Sequence, residues 1–423
     1  MNSSNAIPKD KGIDNTFKLL KEGYLFIKNR GDKLHSDFFE TRVLGKKAIC
    51  LVGEEGSRLF YNPELFIRKG AAPKRVQKTL LGVNAIQGTD GEKHLNRKEL
   101  FLTLLMNPQR IDDLAKIFSV KLSSAASQWE EAHTIVIFEE MKNIICSSAF
   151  QWIGLPLKDE EIKDKAQEFI DMIYAFGSVG PNYWKGKKAR CRQELFLQKI
   201  IKKVRLGELK CKSNSPLYVV STYKEEGEEL SENMAAIELI NIIRPIVAIS
   251  TFITFSCLAI YEYPASKREL KMKNQDYYQY FVQEVRRFYP FAPFVGAKAK
   301  KDFIYRGQNI TEGTLVLLDI YGTNHDQKIW NNPYEFNPLR FKDKTRSLYT
   351  FIPQGGGEYL TGHRCPGEAI TLEMMKVFLD FFINKIEYRL PKQNLSYNLH
   401  KIPTLPESGF IICNVRKKKT INL

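Results

Sequence analysis

The run AAIELINIIRPIVAISTFITFSCLAI, residues 235–260, is apolar on nearly every side of a helix, yet it holds a permanent cation, Arg244, beside a helix breaker, Pro245. A helix that is apolar all round must be buried all round. The rest of the chain therefore has to form a body thick enough to enclose it. With 423 residues, 43% apolar and 12% aromatic, the composition supplies that body. The longest uninterrupted apolar stretch, Ile246–Ile260, contains Ser and Thr and falls short of the ~20 residues needed to span a bilayer. No integral membrane segment is expected.

The pattern around this run predicts a mainly α fold of α+β class. TRVLGKKAICLVG has strand composition about a Gly-Lys turn and predicts a hairpin. From about Asp90 to Tyr280, segments such as DLAKIFSVKLSSAASQW repeat apolar residues three and four apart and predict helices. Strand-like pieces return at DFIYRG, TLVLLDIYG and GFIICNVR. The expectation is one domain over 1–423, with β-rich subregions near 38–53, 300–321 and 387–416. The net charge of +16 admits anionic partners. Lys and Arg are spread along the chain, dense only in KGKKAR (Lys185–Arg190) and RKKK (Arg416–Lys419), which favours a solvated basic surface over a nucleic-acid site. The seven cysteines are scattered with no C-x-x-C, against a disulfide framework or structural zinc. No signal-type apolar segment opens the chain. A cytoplasmic protein is expected. His35, His133, His325 and His400 show no metal-ligand spacing.

A second stretch carries chemistry. In IPQGGGEYLTGHRCPGEAITLEMMKVFLDFF, Cys365 lies between glycines and a helical pattern. With Pro366 at the first helical position, Cys365 is the expected N-cap and Glu368 the capping-box residue. A thiolate there is stabilised by the helix end. The loop alone leaves four readings: an inert cysteine, a nucleophile (with His363 too near in sequence to face it), a phosphate loop lacking G-K-[ST], or a thiolate axial ligand to haem.

PQGGG followed by GHRCPGE resembles the haem-thiolate loop of the cytochrome P450 superfamily. Glu284 and Arg287 in QEVRRF resemble that family's E-x-x-R pair, one helical turn apart, and Arg340 in FNPLRF the arginine that completes the unit. The loop departs from the common pattern: its glycines follow Phe-Ile-Pro-Gln, and His363 stands two residues before the Cys. That longer form, with AIELINIIRPIVAIS and LPESGF, is similar to the fatty-acid peroxygenase branch, and closely to its bacillus-type beta-hydroxylating members. The resemblance implies haem b between the long central helix and the Cys loop, with Cys365 as iron ligand. His94 and Lys98 in KHLNRKELF, with Arg68, are then the expected propionate contacts. It also implies what Arg244-Pro245 is for. Oxygen-using members carry an acid–alcohol pair there; here a fatty-acid carboxylate would sit on Arg244 and act as acid and base, with hydrogen peroxide as oxidant and no redox partner. Glu238, six residues before Arg244, lies well round the helix from it and is not its expected partner. Gln87 would favour alpha or beta hydroxylation over the terminal alkene formed by relatives with His. Phe291, Ala292, Phe294, Leu80, Leu81 and Ala72 are expected to line the substrate channel. Competing readings are a fatty-acid decarboxylase, an NAD(P)H-dependent monooxygenase, a non-catalytic fatty-acid or haem carrier, and RNA binding through the basic surface.

Overall fold

The computed structural model describes residues 6–272, 274–342 and 346–418. Met1–Asn5, which open the N-terminus, and Lys419 of the RKKK run lie outside the described residues. The fold is mainly helical with small sheets. The apolar run forms two consecutive helices, Glu232–Val247 and Ile249–Glu262, enclosed on all sides. Ser231 starts the first, its hydroxyl accepting the Met234 N–H at 3.1 Å. The chain stays helical through Pro245 and breaks one turn later, at Ala248. The proline removes one rung of the ladder without ending the helix there. Ser250, Thr254 and Ser256, three of the four Ser and Thr residues that interrupt the run, each donate their hydroxyl to a backbone carbonyl three or four residues back at 2.8 Å. Their polarity is thereby satisfied inside the core.

By length and composition the stretch Glu232–Glu262 could cross a membrane, having 31 residues and a mean hydropathy of 1.8, but 94% of that window is buried inside the protein. It is longer than the run counted from sequence because Arg244 and Pro245 do not interrupt it. Burial in the protein core is sufficient reason for its apolarity.

The helices Pro108–Glu131, Ile137–Ile153, Asp159–Tyr174, Pro181–Arg205, Gln275–Phe288 and Glu368–Asp380 pack around this axis and share one apolar core with it. The hairpin forms as strands Phe38–Val43 and Lys46–Leu51, turning through Leu44-Gly45. It joins Leu315–Asp319, Phe294–Ala299 and Phe66–Ile67 in a five-stranded sheet, the Lys46–Leu51 strand running parallel to Leu315–Asp319 and the other pairs antiparallel. A three-stranded sheet unites Ile386–Arg389, Ile411–Lys417 and Thr134–Val136.

On the helix Gln275–Phe288, Glu284 is fully buried. Its carboxylate takes Arg287 Nε at 2.7 Å and Nη2 at 2.8 Å, the Asn337 N–H at 2.8 Å and Arg340 Nε at 3.1 Å. Arg287 Nη1 also donates to the carbonyls of Asn324 and Pro333, both at 2.9 Å. A buried ion pair needs every lone pair and proton satisfied to offset its desolvation, and this unit comes close to that condition.

Candidate active site

A cavity of about 230 Å³ lies between the central helix and the Cys loop. Cys365 and Arg244 both line it, as do Pro245, Gln87, His94, Lys98 and Leu81. The loop is closed by contacts only glycine allows: Gly357 has φ +76°, and a Cβ there would meet the Tyr61 side chain at 2.9 Å.

Cys365 is not the helix N-cap. The helix begins at Glu368 with Gly367 as its cap, so the thiol sits two residues before the cap. Glu368 makes no capping box either. It pairs with Arg364 at 3.0 Å and Arg286 at 3.4 Å, an ion-pair cluster that outcompetes the capping geometry. Without the expected helix-end contact, burial and the nearby Glu368 carboxylate push the Cys365 thiol up, against the pull of the Gly367 N–H, Lys98 and Arg286. A thiol that ligates a metal is deprotonated outright, so this electrostatic setting gives way once iron is bound. Gln354, which sequence reasoning missed, approaches Sγ with Nε2 at 3.8 Å and is held by Arg286 Nε at 3.0 Å and Thr371 Oγ1 at 3.2 Å. Its signal was its place just before the glycines.

His94 and Lys98 are buried, not part of a solvated basic face. His94 stacks on His363 with ring centroids 3.9 Å apart. Its Nε2 meets the Gly362 carbonyl at 3.4 Å, and its Nδ1 has no partner. Lys98 donates to the Arg364 carbonyl at 2.5 Å, and burial brings its pKa down to about 8. Arg68 lies over the Phe60 ring at 4.1 Å with its Nη1 buried and unpartnered, and burial lowers it to about 10. Asp90 ties these parts together by accepting the backbone N–H groups of Arg68 and Lys69 at 2.7 and 2.8 Å and facing His363 at 3.8 Å.

Arg244 is buried and its Nε has no partner. Burial, with repulsion from Arg190, lowers its pKa to about 9, so it remains cationic at neutral pH. Glu238 does not serve it. That carboxylate takes Arg97 Nη1 at 2.9 Å, the Ile86 N–H at 2.9 Å and Asn241 Nδ2 at 3.0 Å. Asn241 in turn reaches Gln87 Oε1 at 3.4 Å. Gln87 is thus placed by a chain of buried polar groups that starts at Arg97. Asn241 was readable as the i−3 neighbour of Arg244 on the same helix face. Exchanging Glu238 for Gln keeps the shape but removes the charge facing Arg97. We expect a stability loss of about 2 kcal/mol, measured by denaturant titration; an unchanged midpoint would show that the network does not hold this wall.

The other channel candidates lie elsewhere. Phe291 stacks on Phe252 at 4.3 Å, Ala292 packs against the sheet core, and Phe294 stands in its strand near Phe176. None of these three, nor Leu80 or Ala72, lines the cavity. Phe291, Ala292 and Phe294 pack against the protein's core clusters, and the apolar residues on the cavity wall include Leu81, Phe101, Ile242 and Ile246. Of the remaining histidines, His325 is buried between Tyr321 and Tyr334 and held by the Tyr321 carbonyl at 2.9 Å. Among the described residues no cluster of three or more His, Cys, Asp or Glu could hold a bare metal ion.

A haem-thiolate group fits these residues. The cavity offers one thiol, Arg244 on its wall has its Nε buried without a partner, and Arg68, outside that wall, has its Nη1 buried without one. Unpaired buried donors of one sign call for acidic groups, as two propionates and a substrate carboxylate would supply.

The family model for cytochrome P450 matches residues 266–413. Beta-amyrin 6-beta-monooxygenase of Solanum lycopersicum is 24% identical over 89% of this chain and 85% of its own. Taxane 13-alpha-hydroxylase of Taxus cuspidata is 24% identical over 92% and 85%. Solved structures agree more closely. Cytochrome P450EX alpha (CYP152N1) with myristic acid is 38% identical, with a TM-score of 0.95 over 98% of this chain and 100% of that one. Ligand-free cytochrome P450 OleT is 36% identical, with a TM-score of 0.95 over 98% and 99%.

Proposed function

The chain belongs to the cytochrome P450 family, whose members are haem-thiolate proteins, and from that premise we propose that it hydroxylates long-chain fatty acids at the alpha or beta carbon with hydrogen peroxide. The observation that carries this reading is Arg244, a buried guanidinium with an unpartnered Nε in the cavity that also holds Cys365. Charge of that kind needs a carboxylate of matching fork geometry. A fatty acid supplies one, and the structure with myristic acid is a close relative.

Cys365 is the residue that would hold the iron, with His94, Lys98 and Arg68 on the propionates. When bound, haem with a thiolate ligand supplies the oxidising chemistry that inserts oxygen into a C–H bond. The chain's own residues do the rest. Arg244 grips the substrate carboxylate and so fixes which carbons of the acyl chain present themselves. Ile242, Ile246 and Phe101 give the chain an apolar wall and exclude water. Pro245 stands where a proton-delivering side chain would otherwise be, so the carboxylate held on Arg244 takes a proton from one peroxide oxygen and returns it to the other. The overall change balances as RH + H2O2 giving ROH + H2O, with no external reductant.

The test is product analysis of haem-loaded protein with myristic acid and dilute hydrogen peroxide, without a reductase. Alpha- or beta-hydroxymyristate is the expected product. A terminal alkene as main product would make the chain a decarboxylase on the same scaffold. No product with haem intact would favour a carrier. Gln87→His is expected to raise the alkene fraction severalfold, read by gas chromatography; an unchanged fraction would remove Gln87 from control of the outcome.

A further inference from the structure

Two stretches of the chain carry cations and no acid: there is no Asp or Glu between Glu64 and Asp90, and none between Asp171 and Glu194. The fold brings them together. Arg75 donates to the Ser178 carbonyl at 2.5 Å and lies over the Tyr183 ring at 4.9 Å. Arg190 donates to the Leu80 carbonyl at 3.1 Å. The result is a surface on which Lys74, Lys78, Lys185 and Lys188 are exposed and Lys187 partly so. Asp171 lies 3.3 Å from Lys185, and Glu194 takes Arg190 at 2.5 Å.

In the middle of these lysines stand large apolar side chains. Trp184 is 54% exposed and Val179 57%. Lys187 lies over the Trp184 ring at 4.9 Å, and Tyr183 meets it edge-on at 5.5 Å. An exposed Trp costs free energy in water, and one ringed by lysines suits an interface that is anionic outside and apolar beneath. Nucleic acid would be met by aromatic faces along a groove, whereas here the exposed aromatic and the valine flank a helix start, Pro181 onward.

We propose that this surface docks on anionic lipid bilayers, with Trp184 and Val179 entering the interface and the lysines resting on the headgroups. The position has a use. The helix from Pro181 and the turn Gln77–Leu81 are joined through Arg190 and Leu80, and Leu81 lines the cavity. Docking there sets the cavity wall close to a lipid phase in which long-chain acids concentrate. That use rests on the fatty-acid reading; the docking does not, and its test needs no turnover.

Trp184 is also the reporter, since Trp129, Trp152 and Trp330 are 1%, 7% and 1% exposed. Haem-loaded full-length protein would be mixed with phosphatidylcholine vesicles, with or without phosphatidylglycerol, at low and at high salt. A blue shift of Trp emission and co-sedimentation are expected with the anionic vesicles at low salt only. Each cation near such a surface is worth about a fivefold change in partition. Lys185→Glu with Lys188→Glu should therefore weaken binding at least ~25-fold. Trp184→Ser with Val179→Ser should release the protein, while Ile304→Ser, an exposed apolar residue on a separate hairpin, should leave binding unchanged. Absence of co-sedimentation overturns the proposal. So does equal loss with Ile304→Ser, or tighter binding to single-stranded RNA than to the vesicles at the same salt.

Discussion

Arg244→Leu is expected to lower peroxide-driven turnover of myristic acid by roughly 10³–10⁴-fold, because it removes an anchor and, with it, the carboxylate that works as acid and base. Both losses fall on kcat and KM together. Arg244→Lys keeps the charge without the fork and should fall between the two. The same Leu substitution should leave the acid-free protein as stable as before or more so. The wild-type guanidinium is buried with an unpartnered Nε, and burial already lowers its pKa to about 9, so the shorter, uncharged Leu relieves an uncompensated desolvation. Steady-state kinetics and thermal melts of haem-loaded protein check both halves. Turnover within tenfold of wild type would sink the anchoring role. A large fall in melting temperature would mean that Arg244 has a structural partner instead.

Glu284→Ala should give the largest loss of stability of any single exchange considered, about 3–5 kcal/mol. It leaves the fully buried Arg287 without its carboxylate and takes an acceptor from Arg340 and from the Asn337 N–H. Arg287 also holds the Asn324 carbonyl, and Asn324 accepts the Ile352 N–H just before the glycines of the Cys loop, so haem retention should fall with it. Denaturant unfolding and haem content per chain are the readouts. Should the variant fail to accumulate, Glu284→Gln, which keeps acceptor and shape but not charge, should fold with roughly half the loss. A change under about 1 kcal/mol in either would show that the buried pair is dispensable.

Much of this was readable from local signals. The hairpin and the enclosed central helix rest on patterns that act within a few residues, although the turn falls at Leu44-Gly45, one residue before the expected Gly-Lys; the Glu284–Arg287 pair came from the family resemblance, which its i, i+3 spacing only permits. That Glu238 does not serve Arg244 followed from their separation round one helix. What stayed hidden depends on partners far along the chain. Cys365 misses the N-cap because Glu368 is claimed by Arg364 and by Arg286 from another helix. His94 finds His363 across 269 positions of sequence, and Gln87 is reached by way of Arg97 and Asn241. Phe291, Ala292 and Phe294 stand outside the cavity that holds Cys365 and Arg244, and which neighbour each one meets, such as Phe252 for Phe291, depends on distant chain. Pro245 marked an irregularity correctly, but the break falls three residues later, at Ala248.

The unpartnered Nε of Arg244 also couples occupancy to the melting transition by mass action. An acid that binds the folded cavity and not the open chain adds RT ln(1 + [L]/Kd), about 2.7 kcal/mol at a hundredfold excess over Kd. Heat resistance should therefore climb with the logarithm of acid concentration, steeply for chains that fill the apolar walls and weakly for acetate. A set of straight-chain acids ranked by that slope would give the chain-length preference before any oxidant is added, and amides of the same length, lacking the charge, would show what the guanidinium contributes.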